Sequence, residues 1–485
     1  MATDYRTPGV YVEENSLLPP SVSGVATAIP AFIGITEKKT KNPVQKVTSL
    51  IEFQTLFGEG KPLTVNQSKV LQGQKYVLYD SMRLYFDNGG GTCYVASAGL
   101  YDDFKQSNPN ADDYKAALEH VAQQSDVTLL VMPDAALVLN LTSLAAVHAA
   151  ALQQCAELVG RFAILDVKQE LDGTYATPTD RIDTEVKNYR DKLNDYLCYG
   201  AAYYPYLKSS YAKDIPFKEV LNALGASYTA QDGDSQGEGP KISSDSTQAE
   251  ILSRAAWIAN LDESNPKKKM WMNAIIPQIE NYAETLEELK DQASVVPPSG
   301  AIAGLYVATD NRVGVWQAPA NIGIACVKDL NTHINDNQQA SMNDDPESYK
   351  SVNAIRFIKG KGILVWGSRT LDGGSNEWRF IPVRRLFSYV EQSVKLATAW
   401  AVFQPNDSHT WIKIKCQISN FLSDLWRSGA LVGSSPDEAY FVEVGKDITM
   451  TADDINRGYL RVRIGLAAVR PAEFIILEFS HKVQE

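Results

Sequence analysis

Between residues 27 and 207, short apolar runs alternate with stretches of helical period, and this alternation limits the possible folds more than any other feature. TAIPAFIGIT (Thr27–Thr36), DVTLLVMPD (Asp126–Asp134), RFAILDV (Arg161–Val167) and LCYGAAYYPYL (Leu197–Leu207) are each too short and too β-branched or aromatic to be helices. Apolar residues recur at helical spacing over 112–124, 141–159 and 180–194. Strands separated by helices need crossover connections, so the spacing predicts an α/β layer with parallel strands.

Flanking elements follow from punctuation. SLIEFQTLFG predicts a short helix ended by Gly58, and DSMRLYFDNGGGTCYVASAG predicts a helix end, a turn at Gly89–Gly91 and a strand over 92–97. Residues 225–248 are rich in Gly, Ser and Asp and read as an exposed insertion loop, with helical pattern returning at 248–260 and 279–291. ILVWGSRTL reads as a strand. Residues 384–403 and 414–428 read as helices, and Leu460, Val462 and Ile464 alternate with Arg461 and Arg463 as in a half-buried strand. No internal repeat is visible. At 485 residues, with 44% hydrophobic and 21% charged, the chain can bury a core, and its length predicts about three domains at ~150 residues each.

The net charge of -12 argues against nucleic acid as a partner, because a duplex binder needs a basic stripe to neutralise phosphates. The run Lys267–Lys269 is short and reads as a solvated turn. The five cysteines, at 93, 155, 198, 326 and 416, show no CxxC spacing, which predicts reduced, buried thiols in a cytosolic protein. No signal peptide is visible at the N-terminus, and the charge-free stretch Ala135–Ala156 is too polar to span a membrane, so no direct membrane insertion is expected. Gly89–Gly91 lacks the GxGxxG frame, and GEGKP puts Pro62 where a phosphate loop needs Ser or Thr. The five His residues are scattered and Ser368 lacks a nucleophile elbow, so no catalytic, cofactor or metal residue is predicted. The acidic pairs Asp102–Asp103, Asp344–Asp345 and Asp453–Asp454 lack a calcium-loop frame and read as helix caps or solvated loops.

Two features remain unexplained by an ordinary α/β domain. The first 25 residues, including TPGVYVEE and Pro19–Pro20, have too few apolar residues for a core of their own, and a strand-like run, Phe474–Phe479, lies almost at the C-terminus. Such ends fray in a monomer but can add strands to an open sheet edge.

The segment PPSGAIAGLYVATDNRVGVWQAPAN, from Pro297 onward, resembles the signature region of contractile tail sheath proteins of phages and phage-tail-like injection systems. YRTPGVYVEE, VATAIPAFIGIT, FDNGGGTCYVAS, RFAILDV, GAAYYPYL, VNAIRFIKGKGILVWGSRTL, EWRFIPVRRLFSYVEQSV, FQPN and RPAEFIILEF resemble further blocks of that family in the same order, while 38–75 and 225–248 match poorly. The resemblance implies a mixed α/β, multidomain chain: an N-terminal arm (1–25), outer α/β domains (26–350), and a C-terminal sheath domain (351–485) whose sheet is completed by strands from neighbouring subunits. Val10, Tyr11 and Val12 are the expected donated strand at one end, and Phe474, Ile475, Ile476, Leu477 and Phe479 at the other. Pro297–Ile324 is expected to link the α/β part to the sheath domain, with glycines allowing close packing and Trp316 anchoring it. Arg384 and Arg385 fit either an inter-subunit or tube contact or an ion pair at a helix start.

The implied function is structural: stacked hexameric rings around an inner tube, built in a metastable extended state and contracting without nucleotide to drive the tube through a target envelope. The implied partners are further copies of the chain, the inner tube, baseplate and terminal cap proteins, and a paralogous sheath subunit where one exists. Assembly is expected in the cytoplasm, within a phage tail or a released particle. No cofactor is implied. The competing expectation is an α/β enzyme with an unrecognised active site, which would form a small discrete oligomer. A tube or baseplate protein is disfavoured by the length and the α/β middle.

Overall fold

A computed structural model describes residues 22–474 except 62, 66–70, 73–75, 105–108, 172–174, 176, 229–242 and 244. The chain divides into two compact units. The larger holds Ala26–Ser388 and residues 470–474; the smaller holds residues 22–25 and Tyr389–Val469.

The larger unit is built on a nine-stranded sheet. Its strands are β1 (Pro30–Thr36), β2 (Val44–Val47), β3 (Cys93–Leu100), β4 (Leu129–Val131), β5 (Phe162–Asp166), β6 (Gly200–Tyr204), β7 (Ile322–Gly323), β8 (Asn353–Ile358) and β9 (Gly362–Trp366). They lie in the order β7-β9-β8-β6-β5-β4-β1-β3-β2. The run from β8 to β3 is parallel, as the alternation of strands and helices predicts, and antiparallel strands close both margins.

Side chains alternate between two buried faces, which is why these strands read as continuous apolar runs. Ala31, Ile33, Ile35, Leu130, Ala163, Leu165, Ala202 and Tyr204 face the helices Ala111–Ala122, Leu141–Glu157 and Pro178–Arg190. Phe32, Val95, Leu129, Val131, Phe162, Ile164, Ala201 and Tyr203 face α1 (Leu78–Asp87) and α2 (Ser299–Arg312). A separate apolar cluster joins the helices Phe217–Ala223, Gln248–Ala259, Lys268–Ile275 and Tyr282–Ala293. The predicted 225–248 loop therefore falls within a helical satellite, and most of it lies outside the described residues.

Four expectations are corrected. Pro297–Ile324 is not a linker: its centre is α2, buried from Ser299 to Val307. A helix apolar all round belongs inside a protein. Lys268 is not a solvated turn residue. It is 8% exposed and its Nζ donates to Leu261 O at 2.7 Å and Ala259 O at 3.3 Å, closing the helix Gln248–Ala259. The strand over 197–207 stops at Tyr204, because Pro205 has no N–H for the ladder, and Leu207–Ser209 pairs in a small three-stranded sheet. Of the free cysteines, Cys93 and Cys155 are buried but Cys416 is exposed.

The expected domain boundary at 350/351 also differs from the division of the chain. β8 and β9 belong to the large sheet, and the smaller unit begins at Tyr389, within α3 (Ile381–Ala397). In that unit α4 (Ser408–Arg427) is capped by Asp407, whose side chain accepts from Thr410 N at 3.0 Å. α4 buries Ile414, Ile418, Phe421, Leu422 and Leu425 at helical spacing and packs on β10 (Tyr440–Val444), which pairs antiparallel with β11 (Val462–Leu466).

The expected glycine packing occurs, but between helices of the core. A Cβ on Gly300 would lie 2.7 Å from Ser81 O, and one on Gly304 would lie 2.5 Å from Tyr85 O. Ala308 continues the stripe against Gly89. These obstacles are backbone atoms, so no rotamer change relieves them. Gly304→Ala should lower unfolding stability by about 1–3 kcal/mol despite its better helix propensity. A urea midpoint at or above wild type, at unchanged slope, would show that the helices can separate at no cost.

Candidate functional site

Open parallel sheets bind ligands in the crevice at the strand C-termini where chain order reverses. Here the reversal lies between β1 and β4, and a side chain fills it. Asp134 is fully buried, its Oδ2 accepting from Ile35 N at 2.7 Å and its Oδ1 from Val77 N at 2.6 Å. Val77 precedes α1 and offers no side-chain cap, so Asp134 supplies the hydrogen-bond acceptor that the helix N-terminus lacks. The approach leaves no room for a side chain at Gly34, where a Cβ would lie 2.5 Å from Asp134 Oδ2.

Asp166 repeats the arrangement at the end of β5. It accepts from Ser299 N at 2.9 Å and Ser299 Oγ at 2.5 Å, capping α2, whose own N-cap, Pro298, makes no side-chain bond. The sequence reading singled out neither carboxylate. Their signal is an acidic residue ending or just following an apolar strand run, LLVMPD and FAILD.

The predicted site residues separate into groups. Val10, Tyr11, Val12, Ile475, Ile476, Leu477 and Phe479 lie outside the described residues. Phe474 is the last described residue and is 75% exposed. Arg384 and Arg385 are both buried, and both make contacts within the chain. Arg385 donates to Asp310 Oδ1 at 3.0 Å and Oδ2 at 2.6 Å and to Thr27 O at 3.0 Å, and it lies over the Tyr306 ring. The Arg384 guanidinium sits 4.3 Å from the Trp378 ring centroid and donates to Ser388 Oγ. Arg385 is thus ion-paired with Asp310 on α2.

Two further residues escaped the sequence reading. Arg369 Nη2 donates to Glu473 Oε2 at 2.6 Å, and the Arg369 Nε lies 3.0 Å from each carboxylate oxygen. Glu473, Phe474 and Pro471 border a groove of about 740 Å³ with Trp366, Arg356 and Gln339. A polar cleft of about 760 Å³ contains Arg181 and His333, paired respectively with Glu185 at 3.2 Å and Asp329 at 3.4 Å. Among the described residues no cluster of three or more His, Cys, Asp or Glu is placed to hold a metal, and no helix is long and apolar enough to cross a membrane. Of the acidic pairs, Asp103 accepts from Leu100 N, Asp454 closes the capping box that Thr451 opens on the helix Ala452–Asn456, and Asp345 pairs with Arg190 at 3.6 Å.

Burial raises the carboxyls of Asp134 and Asp166 to about 7, against the hydrogen bonds that lower them. Their unfolded values lie near ~3.9, so between the two values the folded chain holds more protons than the unfolded one. This contribution to stability is complete below the unfolded value and is lost as pH rises through about 7. The stability advantage of wild type over Asp134→Asn, from urea titrations at about pH 5 and about pH 8, should shrink at the higher pH. An advantage that grows with pH would mean the carboxylate form is the one folding favours.

Comparison with known proteins matches this architecture. A family model described as phage tail sheath C-terminal domain matches residues 374–482. Tail sheath proteins of Vibrio phage KVP40 and Enterobacteria phage T4 are 26% and 22% identical over 31% and 29% of this chain. Those alignments span only 22% and 21% of the phage proteins' own length. Solved structures match along the whole chain. A chain of the six-fold-symmetrised anti-feeding prophage baseplate is 30% identical at TM-score 0.61, covering 99% of this chain and 100% of its own. The anti-feeding prophage helical sheath in its contracted state is 28% identical at TM-score 0.63, covering 99% of this chain and 100% of its own. The contracted sheath of the extracellular contractile injection system PVC is 28% identical at TM-score 0.62, with 99% of each chain covered. With sheath and baseplate chains of such systems matched over 99–100% of their own length at up to 30% identity, the chain belongs to the contractile tail sheath proteins.

Proposed function

We propose that the protein is a structural, non-catalytic subunit of a contractile sheath, assembling with copies of itself and shortening from an extended state to drive an inner tube through a target envelope. The observation that carries this reading is the end-to-end match to contracted sheath chains of two injection systems. The six-fold symmetry of the matched baseplate supports hexameric rings. The tube, baseplate and cap proteins are the other partners, with assembly in the cytoplasm before incorporation into a tail or released particle.

The smaller unit supports a specific mode of assembly. β10 and β11 form a two-stranded sheet, and among the described residues neither pairs with a further strand. Such a pair is marginal by itself and exposes hydrogen-bonding groups along both margins. Phe441 on β10 is 50% exposed. Strands from Val10–Val12 and Phe474–Phe479 of neighbouring copies would complete this sheet through main-chain bonds. Such a mesh persists while rigid bodies reorient, so energy is stored in the difference between two packings of the same subunits.

Negative-stain microscopy of the protein expressed alone should show hollow cylinders with a helical surface, and deletion of residues 1–14 should abolish them. Long contractile cylinders from the truncated chain would overturn the N-terminal strand donation. Discrete small oligomers of the intact chain, even when inner tube and baseplate are supplied, would overturn the sheath reading.

A further inference from the structure

The chain leaves the larger unit at Ser388 and re-enters it at Arg470. Just after re-entry, Glu473 meets Arg369 in a paired, charge-assisted contact with side-chain exposures of 19% and 7%. Arg369 is itself fastened to the body. Its Nη1 donates to Asn343 O at 2.9 Å, and its N–H donates to Asn353 Oδ1 at 2.8 Å. Asn353 lies in β8 and its Nδ2 donates to Arg369 O at 2.8 Å and to Ala202 O, in β6, at 3.2 Å. A continuous polar path thus runs from Glu473 through Arg369 and Asn353 into the large sheet. Bidentate arginine–carboxylate pairs are among the strongest side-chain contacts, and burial shields this one from salt.

We propose that Arg369 and Glu473 form the anchor from which the C-terminal segment, starting at Phe474, reaches a second copy of this chain. The inference rests on the strand-donation reading and adds what holds the donor. The take-off point belongs to the larger unit, so tension on the donated strand passes into the nine-stranded sheet. The N-terminal segment has a counterpart, since the buried Arg385 holds Thr27 O while paired with Asp310. Arg369 and Glu473 are positioning residues; the donated strand itself makes the contact with the neighbour.

The test uses the full chain and reads subunit folding and cylinder formation separately. Glu473→Gln weakens the anchor. Its subunit should keep its circular dichroism spectrum, with a lowered unfolding midpoint from the lost buried partner, while sedimentable cylinders fall at least about tenfold at a temperature where the subunit stays folded. Two glycines inserted between Glu473 and Phe474 leave the pair intact but displace the strand, and should lower assembly similarly. The same two glycines between Val469 and Arg470 lie before the anchor and should be tolerated. Wild-type cylinder yield from Glu473→Gln, or equal yields from the two insertions, would overturn the anchor. Deletion of residues 475–485 separates this from the underlying reading: if that truncation assembles normally, C-terminal strand donation itself fails. Should Glu473→Gln not fold, the two insertions decide the matter alone.

Discussion

Two buried carboxylates hold the larger unit in register. Asp134 and Asp166 stand at the C-terminal ends of neighbouring parallel strands, and each caps a helix that has no side-chain cap of its own. The two helices they cap, α1 and α2, pack against each other along the glycine stripe Gly300–Gly304. Each carboxylate therefore sets the position of one helix over the sheet, and the absence of a Cβ sets the distance between the helices. Removing either constraint leaves an unpaired helix N-terminus in an apolar interior, where water cannot replace the lost partner.

The same arrangement closes the crevice of the open parallel sheet. The crevice where a doubly wound fold admits a ligand is filled by the Asp134 carboxylate, the backbone of β1 and the start of α1. What would be a binding cleft has become part of the core. The segments that lead to the two ends of the chain meet this body at buried arginines. In the proposed sheath, where stored energy would lie in how subunits pack, a body that deformed would dissipate that energy internally.

The smaller unit has the opposite character. α4 packs its apolar stripe on β10, yet among the described residues β10 and β11 form a two-stranded sheet, with Phe441 of β10 exposed. Several large apolar side chains are exposed here, including Val402, Phe403, Ile412 and Ile448. A surface of this kind is poorly suited to a free monomer and well suited to burial in an assembly.

Much of the body was legible in the sequence because its signals are local. Period-two and period-3.6 apolar patterns placed the parallel strands and their helices, and Gly58 and Gly89 marked turns by their backbone freedom. Order of blocks along the chain then pointed to the sheath family. What local pattern could not reveal was which helix lies inside. α2 has little amphipathic asymmetry and is rich in glycine, so its sequence resembles a linker until α1 is brought alongside, when each glycine becomes the condition for contact. The partners of Asp134, Arg369 and Arg385 lie far away in sequence: Ile35 and Val77 for the first, Glu473 and Asp310 for the others. The sequence by itself determined the α/β alternation and the family. Only the tertiary structure decided where charges are buried and paired, because that depends on which distant backbone groups the fold brings within hydrogen-bonding reach.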